Sequence, residues 1–304
     1  MRTVARVAAL FVFVLVLSAP VGASAGTAID PNVGDYVIGI SGGVRYATET
    51  KVFDALDGYM NTEVGCGGSE WHLLGGGSAS GGPVSQAWQI AGQPIDYIDA
   101  GARSDDGWNA DGHGTAPAEL TGYSICVQNT AIRYPTRTVA NSPTGLRTGS
   151  VNCGGPAWHV TSGGAFIATT GSWVNSSFPT DSGDPNATPE NGWTGSVNDI
   201  SGGFGGFEVH AVCARGLNLR YVKQPPIKVV TGAAAVRKVA CRPAEHVVGG
   251  GARVTGPANR SRLISTFPYD GRDADGIPDD GWQSRVYGVS GAAKKVTAFA
   301  ICLG

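Results

Sequence analysis

Polar and apolar residues along this chain alternate in short bursts and do not follow a helical stripe. The clearest case is Val296-Thr297-Ala298-Phe299-Ala300-Ile301, whose two-residue period is that of a half-buried strand. Composition points the same way. There are 47 glycines, with abundant Val, Thr, Ser and Trp, and only 15% of residues are charged, which suits short strands and tight turns. One stretch departs from this pattern. Val7 to Leu17 is continuously apolar, follows Arg2 and Arg6, and is followed by Ala23-Ser24-Ala25, the three parts of a secretory signal with cleavage expected after Ala25. The run is too short for a comfortable membrane span and no second one follows, so a released extracellular product without a membrane anchor is expected.

Beyond that leader the chain resembles itself at a period of about 88 residues. Each unit opens on an apolar-Arg-Tyr step, at Val44-Arg45-Tyr46, Ile132-Arg133-Tyr134 and Leu219-Arg220-Tyr221. A cysteine follows (Cys66, Cys153, Cys241), then a histidine (His72, His159, His246) and a glycine cluster at Gly75 to Gly77, Gly163-Gly164 and Gly249 to Gly251. A Pro-x-Asp step, an acidic loop and a Gly-Trp pair (Trp108, Trp193, Trp282) lead to a closing strand with the second cysteine, Cys126, Cys213 or Cys302. The layout predicts a signal peptide over 1–25, an extension over 26–42, and β-repeats over 43–130, 131–217 and 218–304. Each repeat should hold about five strands. The fold class is all-β, a compact pseudo-threefold assembly of disulfide-linked repeats, with three tandem small β-sandwiches as the alternative. Short joins such as Gln128-Asn129-Thr130 favour the compact form.

Six cysteines in an exported chain imply disulfides. The first-to-second separations are 60, 60 and 61, which favours Cys66–Cys126, Cys153–Cys213 and Cys241–Cys302. Cys126–Cys153, Cys213–Cys241 and Cys66–Cys302 remain the rival scheme. Each within-repeat loop would stabilise by about 4 kcal/mol in the chain-entropy model. Loss of Arg2 and Arg6 with the leader leaves 20 basic against 24 acidic residues of the original 22 and 24. A mildly acidic chain without Lys/Arg clusters argues against nucleic acid and anionic membranes as partners.

The order Cys…Gly-Gly-Gly…Pro…Gly-Trp…Ile-Cys resembles a repeat of secreted actinobacterial proteins and, more weakly, units in receptor-binding tips of fibrous bacterial and phage proteins. The likeness covers nearly the whole mature chain and is best over Cys241 to Cys302. It implies an exported β-repeat protein and leans toward binding.

Two constellations carry candidate chemistry. In the acidic loops Asp96, Asp181 and Asp270 align, as do Asp99, Asp184 and Asp273, and then Asp105, Glu190 and Asp279. Crowded carboxylates repel unless solvated, paired or bridged, and calcium is the natural bridging ion outside the cell. Asp273-Ala274-Asp275-Gly276 resembles the Asp-x-Asp-Gly core of thrombospondin type 3 calcium loops, with Gly271 and Asp270 out of step. The plainer reading is that Asp and Asn cap their own turns. The second constellation is an exchange between repeats. Trp71 and Trp158 precede the aligned histidine where the third repeat has Glu245, and Trp88 and Trp173 precede the Pro-x-Asp step where it has Arg262. An aromatic pair replaced by an opposite-charge pair suggests cross-strand neighbours outside the deep core. They would form either an aromatic platform for sugar rings or a seam between repeats.

The histidines lack metal-ligand spacing, and Trp108, Trp193 and Trp282 read as core. No Gly-x-Ser-x-Gly elbow, phosphate loop or dinucleotide fingerprint occurs, and three glycine-flanked loops are a poor setting for a general acid. The expectation is a secreted, non-catalytic binding protein without a required cofactor, for carbohydrate or a cell-surface polymer. A structural or protective exoprotein is the alternative, and a secreted hydrolase stands further off.

Overall fold

The computed structural model describes residues 36–41, 43–53, 58–81, 87–95, 106–114, 118–140, 145–167, 171–181, 186–199, 206–256, 260–273, 275–291 and 294–304. The signal-peptide expectation over 1–25 lies outside them. The fold is all-β. Strand β1 (Tyr36–Ser41) precedes residues 43–130, which form β2 (Val44–Phe53), β3 (Tyr59–Gly65), β4 (His72–Ser80), β5 (Ala87–Ile95), β6 (Gly107–Gly114) and β7 (Ala118–Val127). Residues 131–217 form β8 (Ile132–Arg133), β9 (Thr136–Val139), β10 (Gly145–Asn152), β11 (His159–Phe166), β12 (Ser172–Thr180), β13 (Gly192–Asp199) and β14 (Phe207–Ala214). Residues 218–304 form β15 (Leu219–Lys223), β16 (Ile227–Val229), β17 (Ala234–Ala240), β18 (His246–Thr255), β19 (Arg260–Tyr269), β20 (Gly281–Ser290) and β21 (Lys294–Leu303).

Among the described residues the segments hold six, seven and seven strands against the five expected: each has one just before its first cysteine (β3, β10 and β17), and the second and third divide the Arg-Tyr region into two short strands (β8 and β9, β15 and β16). Strands β3, β10 and β17 all lie at sheet edges, and β10 and β17 are largely exposed. A solvated edge needs few apolar residues, so the hydrophobic pattern left β10 and β17 invisible.

The strands form three seven-stranded sheets, ordered β1-β2-β7-β4-β19-β20-β17, then β3-β6-β5-β11-β14-β8 with β9 also on β14, and β10-β13-β12-β18-β21-β15 with β16 also on β21. Every segment therefore divides its strands between two sheets, and each sheet is completed by another segment. The joining pairs are antiparallel, with Ser78 opposite Thr266, Phe166 opposite Ala91 and Ala252 opposite Ser177. Within a segment the two halves face each other through a buried tryptophan. Trp108, Trp193 and Trp282 are 1%, 0% and 0% exposed. A side chain at Gly76, Gly163 or Gly250 would overlap the opposing indole, which accounts for the middle glycine of each cluster. The register aligns Ser162-Gly163-Gly164 with Gly75 to Gly77 and Gly249 to Gly251, so Ser162 takes the first place of the glycine cluster in the second segment.

The disulfides are Cys66–Cys126, Cys153–Cys213 and Cys241–Cys302, with Cα separations of 5.7 to 5.8 Å, each tying the two halves of its own segment. The Arg-Tyr step acts between segments. Tyr134 Oη donates 2.7 Å to Leu73 O, Tyr221 Oη 2.7 Å to Val160 O, and Tyr46 Oη 2.8 Å to Val247 O, so each segment is latched to another and the ring is closed.

Candidate functional site

The tryptophan exchange does not form the platform that sequence allowed. Trp71 is 7% exposed and Trp173 4%, so neither offers a face to a ligand. Nor are the two exchanged positions cross-strand neighbours. Trp158 lies beside the Glu190 end of its segment, where Val160 N bonds Glu190 O at 2.8 Å, whereas Trp173 sits at the far end of β12 from Thr180. The side chain of Trp88 lies outside the described residues.

The partner at the first position is the arginine of the Arg-Tyr step. The guanidinium of Arg45 lies 4.1 Å from the Trp71 ring centroid and that of Arg133 4.1 Å from Trp158, while Arg220 Nε donates 2.7 Å to Glu245 Oε1. An arginine accepts either an aromatic face or a carboxylate, which explains how Trp and Glu alternate there. Donation by Arg220 holds the Glu245 carboxyl down to about 2. At the second position the aligned residues of two segments touch each other. Arg262 stacks 4.6 Å over Trp173, whose Nε1 donates 2.8 Å to Ser261 O. The seam reading describes this contact, whose sequence signal was the exchange of Trp173 for Arg262 at aligned positions.

Of the aligned acidic positions, Asp96, Asp99, Asp105 and Asp184 lie outside the described residues. Asp181 is exposed and accepts 3.1 Å from Asn191 Nδ2. The third loop gathers its acids: carboxylate oxygens of Asp270, Asp273 and Asp280 lie within 4.8 Å of one another, as do those of Asp273, Asp275 and Asp279. Most of them already serve the loop. Asp270 accepts from Gly276 N at 3.0 Å, Asp275 from Ile277 N at 2.7 Å, Asp280 from Gly271 N at 2.9 Å, and Asp279 contacts His246 Nδ1 at 2.8 Å. This is the turn chemistry that short Asp-rich loops favour.

A feature that sequence reading missed lies where β12 joins β18. Phe178 on β12 and Phe299 on β21 stack with centroids 5.8 Å apart and planes 19° from parallel. Gly251 lies between them, directly opposite Phe299, and a side chain there would meet Ser177 O and the Phe178 backbone. Half-buried Phe178 and the edge of Phe299, 7% exposed, line a groove of about 570 Å³, walled by Pro189, Pro225 and Pro226, with Asp181, Lys223, Gln224 and Arg253 among its polar lining. Arg253 lies 5.6 Å from the Phe178 ring centroid. A groove with an aromatic edge and a few rim donors and acceptors suits a ring carrying hydroxyls. Phe178 and Phe299 are 121 positions apart in the chain, so no local motif could announce them.

The other sheet junctions differ. Tyr123 and Phe267 stack at 5.5 Å where β4 meets β19, the equivalent place. Where β5 meets β11, the corresponding positions hold Gln93 and His210, and burial lowers the His210 imidazole to about 4, leaving it neutral. A buried carboxylate also occurs at Asp111 on β6. Burial holds it above the ordinary carboxylate range, and Asn61 Nδ2 donates to it at 2.6 Å from edge strand β3. No family model matches the chain, and no curated protein matches it closely enough to count as a relative.

Proposed function

We propose that this protein is a secreted, non-catalytic binding protein that takes a carbohydrate ring of a glycan or cell-surface polymer in the groove between β12, β18 and β21. The observation that carries the reading is the groove lined by half-buried Phe178, backed by Phe299, under a polar rim. Ring stacking on aromatic faces is sequence-tolerant toward the sugar and weak per contact, so it suits a polymer that offers many copies. The three disulfides fit an oxidising compartment, as does the leader-like N-terminus. The test is retention of the mature protein on insoluble polysaccharides and cell-wall preparations, with Phe178→Ala beside the parent. A folded variant that no longer binds supports the reading. Equal retention of parent and variant removes the groove from it. A parent that binds nothing, with a variant that unfolds, returns the protein to a structural or protective role.

A further inference from the structure

We infer that the polymer is an acidic polysaccharide, held by a cationic track on the solvent side of β21 that leads out of the groove; this rests on the groove being the glycan site. Along β21, Lys295, Thr297 and Phe299 share the face opposite that of buried Val296, Ala298 and Ala300; Lys295 is exposed and Thr297 half-buried, while Phe299, at the groove end, is 7% exposed. Neighbouring strands place a cation beside each of them. Lys228 is directly opposite Lys295, Arg253 opposite Thr297, and Lys223 opposite Phe299. All four cationic side chains are exposed. From Lys295 to Phe299 is roughly 14 Å of strand, the reach of an oligosaccharide and more than one ring needs.

Two lysines directly opposite each other on adjacent strands repel. Natural sheets relieve such a pair with an acid nearby, yet among the described residues none of Lys223, Lys228, Arg253 and Lys295 belongs to an ion pair. The track is peculiar to this sheet. The positions equivalent to Lys295 hold Glu119 and Gly206, those equivalent to Thr297 hold Thr121 and Glu208, and those equivalent to Arg253 hold Ala79 and Phe166. A chain of net charge −2 thus concentrates unpaired cations on the one face that also has the groove. Lys223 and Arg253 join the two features, since both line the groove and belong to the track, Lys223 opposite Phe299 and Arg253 opposite Thr297 with its guanidinium 5.6 Å from the Phe178 ring centroid, a planar donor fork for a ring carboxylate. A second arginine stands behind the rim, with Arg237 Nη2 3.4 Å from Gln224 Oε1.

The experiment is affinity electrophoresis of the full mature chain in polygalacturonate, in alginate, in fully methyl-esterified polygalacturonate, and in duplex DNA at matched charge. Retardation by the acidic polysaccharides is expected, weakened about tenfold or more by esterification. Arg253→Glu and Lys295→Glu, both on exposed positions, should weaken it similarly, and Phe178→Ala should abolish retardation by every polysaccharide. If acidic and esterified polymers retard equally and the charge reversals do nothing, the acidic-polymer inference is overturned while the groove remains a glycan site. If no polysaccharide retards the parent, the inference and the groove reading both fall. Equal retardation by DNA, indifferent to Phe178→Ala, would mark simple polyelectrolyte adsorption and overturn the inference as well.

Discussion

Removing one hydroxyl from each Arg-Tyr step tests whether the segments stand or fall together. Tyr46→Phe, Tyr134→Phe and Tyr221→Phe keep the ring and its packing but delete the donor to Val247, Leu73 and Val160. The lost bond is worth about 1 kcal/mol net, and a carbonyl left buried without its donor adds roughly as much again. Tyr46, 1% exposed with its bond fully buried, should cost about 2 kcal/mol, and half-buried Tyr134 and Tyr221 about 1 kcal/mol each. The assay is urea unfolding of the oxidised protein, followed by tryptophan fluorescence and far-ultraviolet circular dichroism together. Because every sheet is completed by a second segment, both probes should report one transition, shifted in midpoint with its slope unchanged. Variants that melt with the parent, or a transition that splits while the disulfides are intact, would refute the idea that these latches and shared sheets make one cooperative unit.

Gly250→Ala places a methyl against Phe299 O and the Trp282 ring and should cost more than about 3 kcal/mol, because neither a backbone carbonyl nor a buried indole can yield. Gly216→Ala, in open space at φ +78°, should cost only about 1 kcal/mol, and the same urea melts compare the two. Glu245 titrates below its ordinary 4.5 through its bond with Arg220, so its contribution is complete above that value and fades as pH falls toward about 2. Glu245→Gln should therefore cost about 1 kcal/mol at neutral pH and nothing near pH 2, read from melting temperature against pH. Since the carboxylates of the third acidic loop already accept its backbone N–H groups, a chelator should move the melting temperature by less than about 1 °C. A calcium-dependent rise of several degrees would instead make that loop an ion site.

Sequence and structure divide the information unevenly. Strand content, the core tryptophans of the Gly-Trp pairs and the even cysteine spacing were legible because each depends on a short stretch of chain or on a distance that recurs along it. The alternation Val296 to Ile301 says which residues of β21 share a face, since a period of two leaves no other choice, although the structure covers both faces from Ala298 to Cys302. It says nothing about which strand lies alongside, because any alternating strand could pair there. The joins of β4 to β19, β11 to β5 and β18 to β12 had no local signature for that reason, and the edge strands β10 and β17 were hidden by their exposure. The exchange of Trp for Glu pointed correctly to a contact but not to its other member, because Arg45, Arg133 and Arg220 do not vary and so gave no signal. The Phe178–Phe299 pair and the cations beside it exist only once strands of different segments are laid edge to edge. Period and spacing are properties of the chain, whereas adjacency belongs to the fold.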